Sequence, residues 1–84
     1  MISENDKGVT KLSVTLYGHR TSISLEEPFL LALKEIARAH NIGLAALIAQ
    51  IDQERINKTR YSLSSALRVF VIEQLSARIE QDKE

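Results

Sequence analysis

Residues 18–29 read GHRTSISLEEPF, a stretch that alternates cleanly and then stops abruptly. Thr21, Ile23 and Leu25 share one parity while Arg20, Ser22 and Ser24 share the other, the period-2 signature of a strand with one wet face. One side asks for a core. The other offers a guanidinium and two hydroxyls in a row, and by residue type alone such a face is as well suited to water as to a partner.

Working upstream, Leu12, Val14 and Leu16 alternate with Lys11, Ser13, Thr15 and Tyr17, which predicts a second strand of opposite apolar parity. Tyr17-Gly18-His19 lies between the two, and a glycine there supplies a turn or a bulge that switches parity. Two arrangements satisfy this pattern, a hairpin or one kinked strand.

Working downstream, Glu26, Glu27 and Pro28 end the strand and open a helix, because proline suits the first helical turn and carboxylates favour the positive end of the helix dipole. Phe29, Leu33, Ile36, Ala37 and His40 recur at helical spacing, with Lys34, Glu35 and Arg38 outward. Asn41-Ile42-Gly43 is a helix stop, since Asn and Gly both tolerate positive φ. A second helix carries Leu44, Leu47, Ile48 and Ile51 on one stripe and runs out near Arg55. After the connector INKTRY, Ser62 is a sound N-cap for a third helix over roughly 63–79. From Ala66 to Ile72 only Arg68 is polar, so this helix asks for burial on several sides, and the short chain offers little bulk to provide it. A second copy of the chain resolves this economically, which predicts a homodimer.

Composition narrows the function classes. The chain of 84 residues has no cysteine, so a disulfide framework and Cys-ligated zinc are excluded and a reducing cytoplasm is the expected compartment. The start MISENDKGVTKL is polar, without the apolar core of a signal peptide, and predicts neither leader nor anchor. The longest apolar run, Val69-Phe70-Val71-Ile72, falls far short of the roughly 20 residues a spanning helix needs. Eleven basic and eleven acidic side chains balance to zero, so any polyanion must be met by a local patch. Two scattered histidines, His19 and His40, make no metal site, and the carboxylates Glu26, Glu27, Asp52 and Glu54 are read as helix-surface groups without a pocket. Neither an enzyme nor a cofactor is expected, and no small-molecule ligand is evident.

The order of these elements resembles the ribbon-helix-helix DNA-binding proteins. TSISLEEPFLLALKEIARAHNIGLAALIAQI is similar to that unit from end to end, and the chain also resembles a stand-alone bacterial variant with a GHRTSISLE opening, an ID…R segment at Ile51-Asp52 and Arg55, and a late LSSALRVFV stretch at 63–71. The resemblance covers about residues 11–76. It implies a mainly α fold with a short N-terminal β-ribbon and an additional C-terminal helix. The expected organisation is a flexible arm at 1–10, the domain at 11–79 and a polar tail at 80–84.

What the resemblance further implies is a homodimer, open to higher-order assembly on DNA, whose strands pair between chains into a ribbon that enters the major groove of an operator. Carried onto this chain, Arg20, Ser22 and Ser24 read bases. Lys11, His19, Ser64, Ser65 and Arg68 meet the backbone phosphates. Ile23, Leu25, Leu47, Ile48, Ile51, Leu67, Phe70 and Val71 form the dimer core. Either the second helix, by chain order, or the third, by its serines, anchors the phosphate. The expected function is a cytoplasmic, sequence-specific transcriptional regulator. The competing expectation is a protein-interaction module, antitoxin-like or adaptor, on the same scaffold. For Arg68 a carboxylate, a phosphate or the rim of the dimer are the available partners, and Glu73 is poorly placed to be one.

Overall fold

The computed structural model describes residues 8–58 and 60–82. Two strands, β1 (Val9–Leu16) and β2 (His19–Glu26), are followed by three helices, α1 (Glu27–Ala39), α2 (Leu44–Lys58) and α3 (Leu63–Asp82). Of the expected N-terminal arm, residues 1–7 lie outside the described residues, while Val9 and Thr10 already belong to β1; α3 likewise continues past 79 to Asp82.

The parity switch is a hairpin. β1 and β2 pair antiparallel within one chain, Leu16 opposite His19 and Val9 opposite Glu26. The two-residue connection places Tyr17 at φ 51° and Gly18 at φ 85°, and positive φ at both positions is what a type I′ turn requires to match the strands' twist. Gly18 takes that conformation freely, but Tyr17 does not. Its compensation is visible in space, because the Tyr17 hydroxyl donates to the Ala49 carbonyl of α2 at 3.0 Å and ties the hairpin tip to the helices. β1 and β2 thus form a two-stranded ribbon within one chain.

Glu26 caps α1 with extended backbone but makes no side-chain capping bond to that helix, and Pro28 stands in the first turn. At the other end Asn41, at φ 61°, closes a Schellman motif in which the Ile42 N–H bonds to the Ala37 carbonyl at 3.0 Å and the Asn41 N–H to the Arg38 carbonyl at 3.0 Å. Asn41, rather than Gly43, supplies the left-handed residue. The Gly43 carbonyl instead accepts the first helical bond of α2, from Leu47.

One core gathers under the hairpin. Val14, Leu16, Ile23 and Leu25 bring the inner faces of both strands against Leu33 and Ala37 of α1, Leu47, Ile48 and Ile51 of α2, and Ala66, Leu67 and Val71 of α3. Each fully buried aliphatic side chain contributes roughly 1.5–3 kcal/mol of transfer free energy, and a two-stranded ribbon, marginal alone, needs this backing.

Part of the apolar run of α3 finds cover within its own chain. Ala66, Leu67 and Val71 are buried by their own chain, with Phe70 half-buried beside them. The side chains expected in a dimer core thus lie in or against the core of a single chain. What remains uncovered on α3 lies further along, where Ile72, Leu75 and Ile79 are 52%, 45% and 59% exposed. Their spacing of three and four residues puts them on one face.

Candidate nucleic-acid interface

With one face of the hairpin in the core, the pleat turns the other outward. On β2 that face carries Arg20, Ser22 and Ser24; on β1 it carries Lys11, Ser13 and Thr15. Arg20, Ser22 and Lys11 are exposed, and Ser24 is half-buried against α3. Arg20 Nη2 donates to Ser13 Oγ at 3.4 Å across the ribbon. Glu26 is the one acidic residue in the two strands, and its charge is answered.

That answer comes from Arg68. Its Nε donates to Glu26 Oε1 at 2.7 Å, and its Nη2 approaches the Ser24 carbonyl at 3.4 Å. The hydrogen bond from Arg68 holds the Glu26 carboxyl below the usual glutamate range; a bond from its own backbone and the nearby guanidinium charge add to this, against a smaller opposing effect of burial. Of the partners open to Arg68, the structure assigns the carboxylate. Its guanidinium closes the end of the ribbon onto α3 rather than standing free for a phosphate.

The serines of α3 divide. The Ser65 N–H donates to Ser62 Oγ at 3.2 Å, and the Ser62 hydroxyl donates in turn to Ser65 Oγ at 3.2 Å, so both act in the helix cap. Ser64 faces a groove between the hairpin and α3 that is also lined by His19, Thr21, Ser22 and Arg55. The start of α3 is therefore beside the ribbon. The start of α2 opens instead onto Lys34 and Arg38 of α1 and Asn41 of the turn that follows it.

One residue of this groove was misplaced by sequence reasoning. Asp52, expected on a helix surface, is buried, and Arg55 Nε donates to its Oδ1 at 2.7 Å while Arg55 Nη1 donates to the Tyr61 carbonyl at 3.1 Å. The ID…R segment thus locks the end of α2 to the connector before α3. The signal was present: Asp52 stands four residues after Ile48, on the stripe that enters the core. Among the described residues no group of three His, Cys, Asp or Glu side chains could hold a metal ion, and no helix is long and apolar enough to cross a membrane.

Comparison with known families matches the chain to the ribbon-helix-helix domain over residues 9–75. Neither curated proteins nor solved structures give a match.

Proposed function

Because the chain belongs to the ribbon-helix-helix family, whose members generally bind DNA, we propose that it is a sequence-specific DNA-binding regulator that sets the outer face of its ribbon in the major groove. The observation that carries this reading is the outward row Arg20, Ser22 and Ser24, which presents a guanidinium and two hydroxyls with the strands' sole carboxylate already paired to Arg68. Arg is the common bidentate partner of guanine, serine serves either donor or acceptor edges, and the groove admits a two-stranded ribbon. Lys11, His19 and Ser64 flank that row and serve as phosphate contacts. The work is binding, and no catalytic step is assigned.

We further propose that the regulator is a cytoplasmic bacterial homodimer. Support comes from Ile72, Leu75 and Ile79, an apolar stripe that its own chain leaves uncovered. The same stripe supports a second reading, in which the scaffold is an adaptor for another protein, and zero net charge agrees with it.

The two readings separate in a salt titration. A regulator selects a short duplex from a random pool and its log affinity falls linearly with log salt, by about 0.9 for each phosphate met. A protein that selects no duplex and shows no salt-dependent binding to DNA is the adaptor.

A further inference from the structure

Two exposed apolar groups stand toward opposite ends of β2. One is the stripe Ile72, Leu75 and Ile79, which spacings of four, three and four set in line with Arg68. From Ile72 to Gln81 every side chain of α3 is exposed, so these turns project past the body of their own chain. The other group is at the hairpin tip, where Tyr17 is 61% exposed although its hydroxyl is tied to Ala49. Ala49, Gln53 and Ile56 share a face of α2 by their spacing, and Ile56 is exposed to the same degree.

The free edge of β2 relates the two groups. Leu16 and His19 close the two-residue turn as a hydrogen-bonded pair, so by alternation Arg20, Ser22 and Ser24 turn their backbone groups away from β1. The Ser24 carbonyl accordingly meets Arg68, while among the described residues no backbone bond reaches Arg20 or Ser22 from that side. Open edge groups are a template for another strand, and a two-fold axis makes the pairing of this edge with its own copy antiparallel. Centred on Ser22, such pairing sets the hairpin tip of one chain beside Glu26 of the other. Arg68 is bound there, and Ile72 follows it by about 6 Å along the helix.

Charge points the same way. The projecting turns of α3 carry Glu73 and Glu80 against Arg78, whereas the end of α2 and the connector after it carry Lys58 and Arg60. Two stripes set against each other would oppose acid to acid; a stripe set against a tip opposes acid to base.

We infer that the stripe Ile72, Leu75 and Ile79 is the seat of a second copy's hairpin tip, so that α3 beyond Val71 is a clasp that closes on the partner's Tyr17. This rests on the homodimer reading above and names the surfaces that each copy offers. The contact is isologous and occurs twice, each chain giving one tip and one stripe. It supplies the apolar burial that a short paired edge lacks.

The chain has no cysteine, so a protein with Tyr17→Cys mixed with one carrying Leu75→Cys forms a disulfide between tip and stripe only where the two surfaces meet to within about 7 Å between Cα atoms. Oxidation of the mixture is expected to give a covalent dimer with one copy of each, and neither protein alone is expected to cross-link. Gln53→Cys mixed with Leu75→Cys repeats the test with the turn untouched. Light scattering over a concentration series then compares Tyr17→Ala, Leu75→Ala and the double variant, with circular dichroism confirming that each is folded. Each single change is expected to weaken association about tenfold or more, the scale of an interface anchor, and the double change to fall well short of the product, because both delete one contact. A dimer in which neither mixture cross-links, or in which the two changes multiply, overturns the inference. So does a self cross-link of Leu75→Cys alone, which would set stripe against stripe. A parent that stays monomeric throughout overturns the homodimer reading itself.

Discussion

Arg68 and Glu26 meet 42 positions apart in the chain, Nε to Oε1 at 2.7 Å, and join the far end of the ribbon to the first turns of α3. The contact does three things at once. It neutralises the one carboxylate of the strands, it leaves Glu26 as the N-cap residue of α1 without a side-chain bond to that helix, and it brings a guanidinium against the outer edge of β2 at Ser24. An edge strand offers unpaired backbone groups to other chains, and here that edge is partly covered at its final turn into α1.

The pair makes a pH prediction whose sign is set by Glu26. Its carboxyl is held below the usual range, so its contribution is fully present above the unfolded-state value, about 4.3, and is lost as pH falls through the lower folded-state value. Thermal midpoints of the parent and Glu26→Gln, followed from pH 7 to pH 3, should therefore converge on acidification. Curves that stay parallel, or diverge below pH 4, would remove the carboxylate from the account.

Tyr17 offers a second test, of the tip. Tyr17→Phe keeps the ring and the strained turn but deletes the hydroxyl that reaches Ala49, and about 0.5–1.5 kcal/mol of stability should go with it. Chemical denaturation reads the change. Equal midpoints for the two proteins would mean that the tip is held by the turn alone.

Much of this fold is legible in local pattern. Alternation at 12–16 and 21–25 marks both strands, Pro28 marks the start of α1, and Asn41 its stop, because each signal acts within a few residues of where it stands. The core side chains follow from the same periodicities. The contact between Arg68 and Glu26 is different in kind, since nothing local to either residue encodes a partner so far along the chain. The intrachain ribbon is legible only in part: Tyr17-Gly18 permits a type I′ turn, but tyrosine is not a residue that announces one, and the bond to Ala49 that offsets its strain is tertiary. The inner and outer faces of α3 were merged by sequence for a related reason. Its apolar side rotates after Val71, from the stripe Ala66, Leu67 and Val71 to the stripe Ile72, Leu75 and Ile79, and one composition describes both.

Those two stripes predict opposite responses. Leu67 is completely buried, so Leu67→Ala should cost about 2–5 kcal/mol in a protein diluted below any association. Ile72→Ala should cost little there, within about 0.5 kcal/mol, and should act on association instead. Light scattering across a concentration series, with denaturant midpoints at both ends, separates the effects. A large loss of monomer stability in Ile72→Ala would place that side chain in the chain's own core.

The last prediction contrasts the two arginines. Arg20 is exposed on the outer face of the ribbon, and its replacement by alanine should leave the fold intact while removing roughly 1–3 kcal/mol of discrimination at one base pair in each half-site. Arg68 is already committed to Glu26 and the Ser24 carbonyl. Arg68→Ala should lower the thermal midpoint by releasing the ribbon end from α3, yet leave both base preference and the slope of log affinity against log salt as they were. The slope is the decisive readout, because losing a phosphate contact flattens it by about 0.9, whereas losing an internal ion pair does not touch it. A flattened slope in Arg68→Ala, with circular dichroism showing a folded protein, would mean that the guanidinium leaves Glu26 for a phosphate when DNA arrives. The ion pair would then be the resting position of a backbone clamp, and Glu26→Gln, by freeing Arg68 beforehand, should tighten binding to all sequences alike.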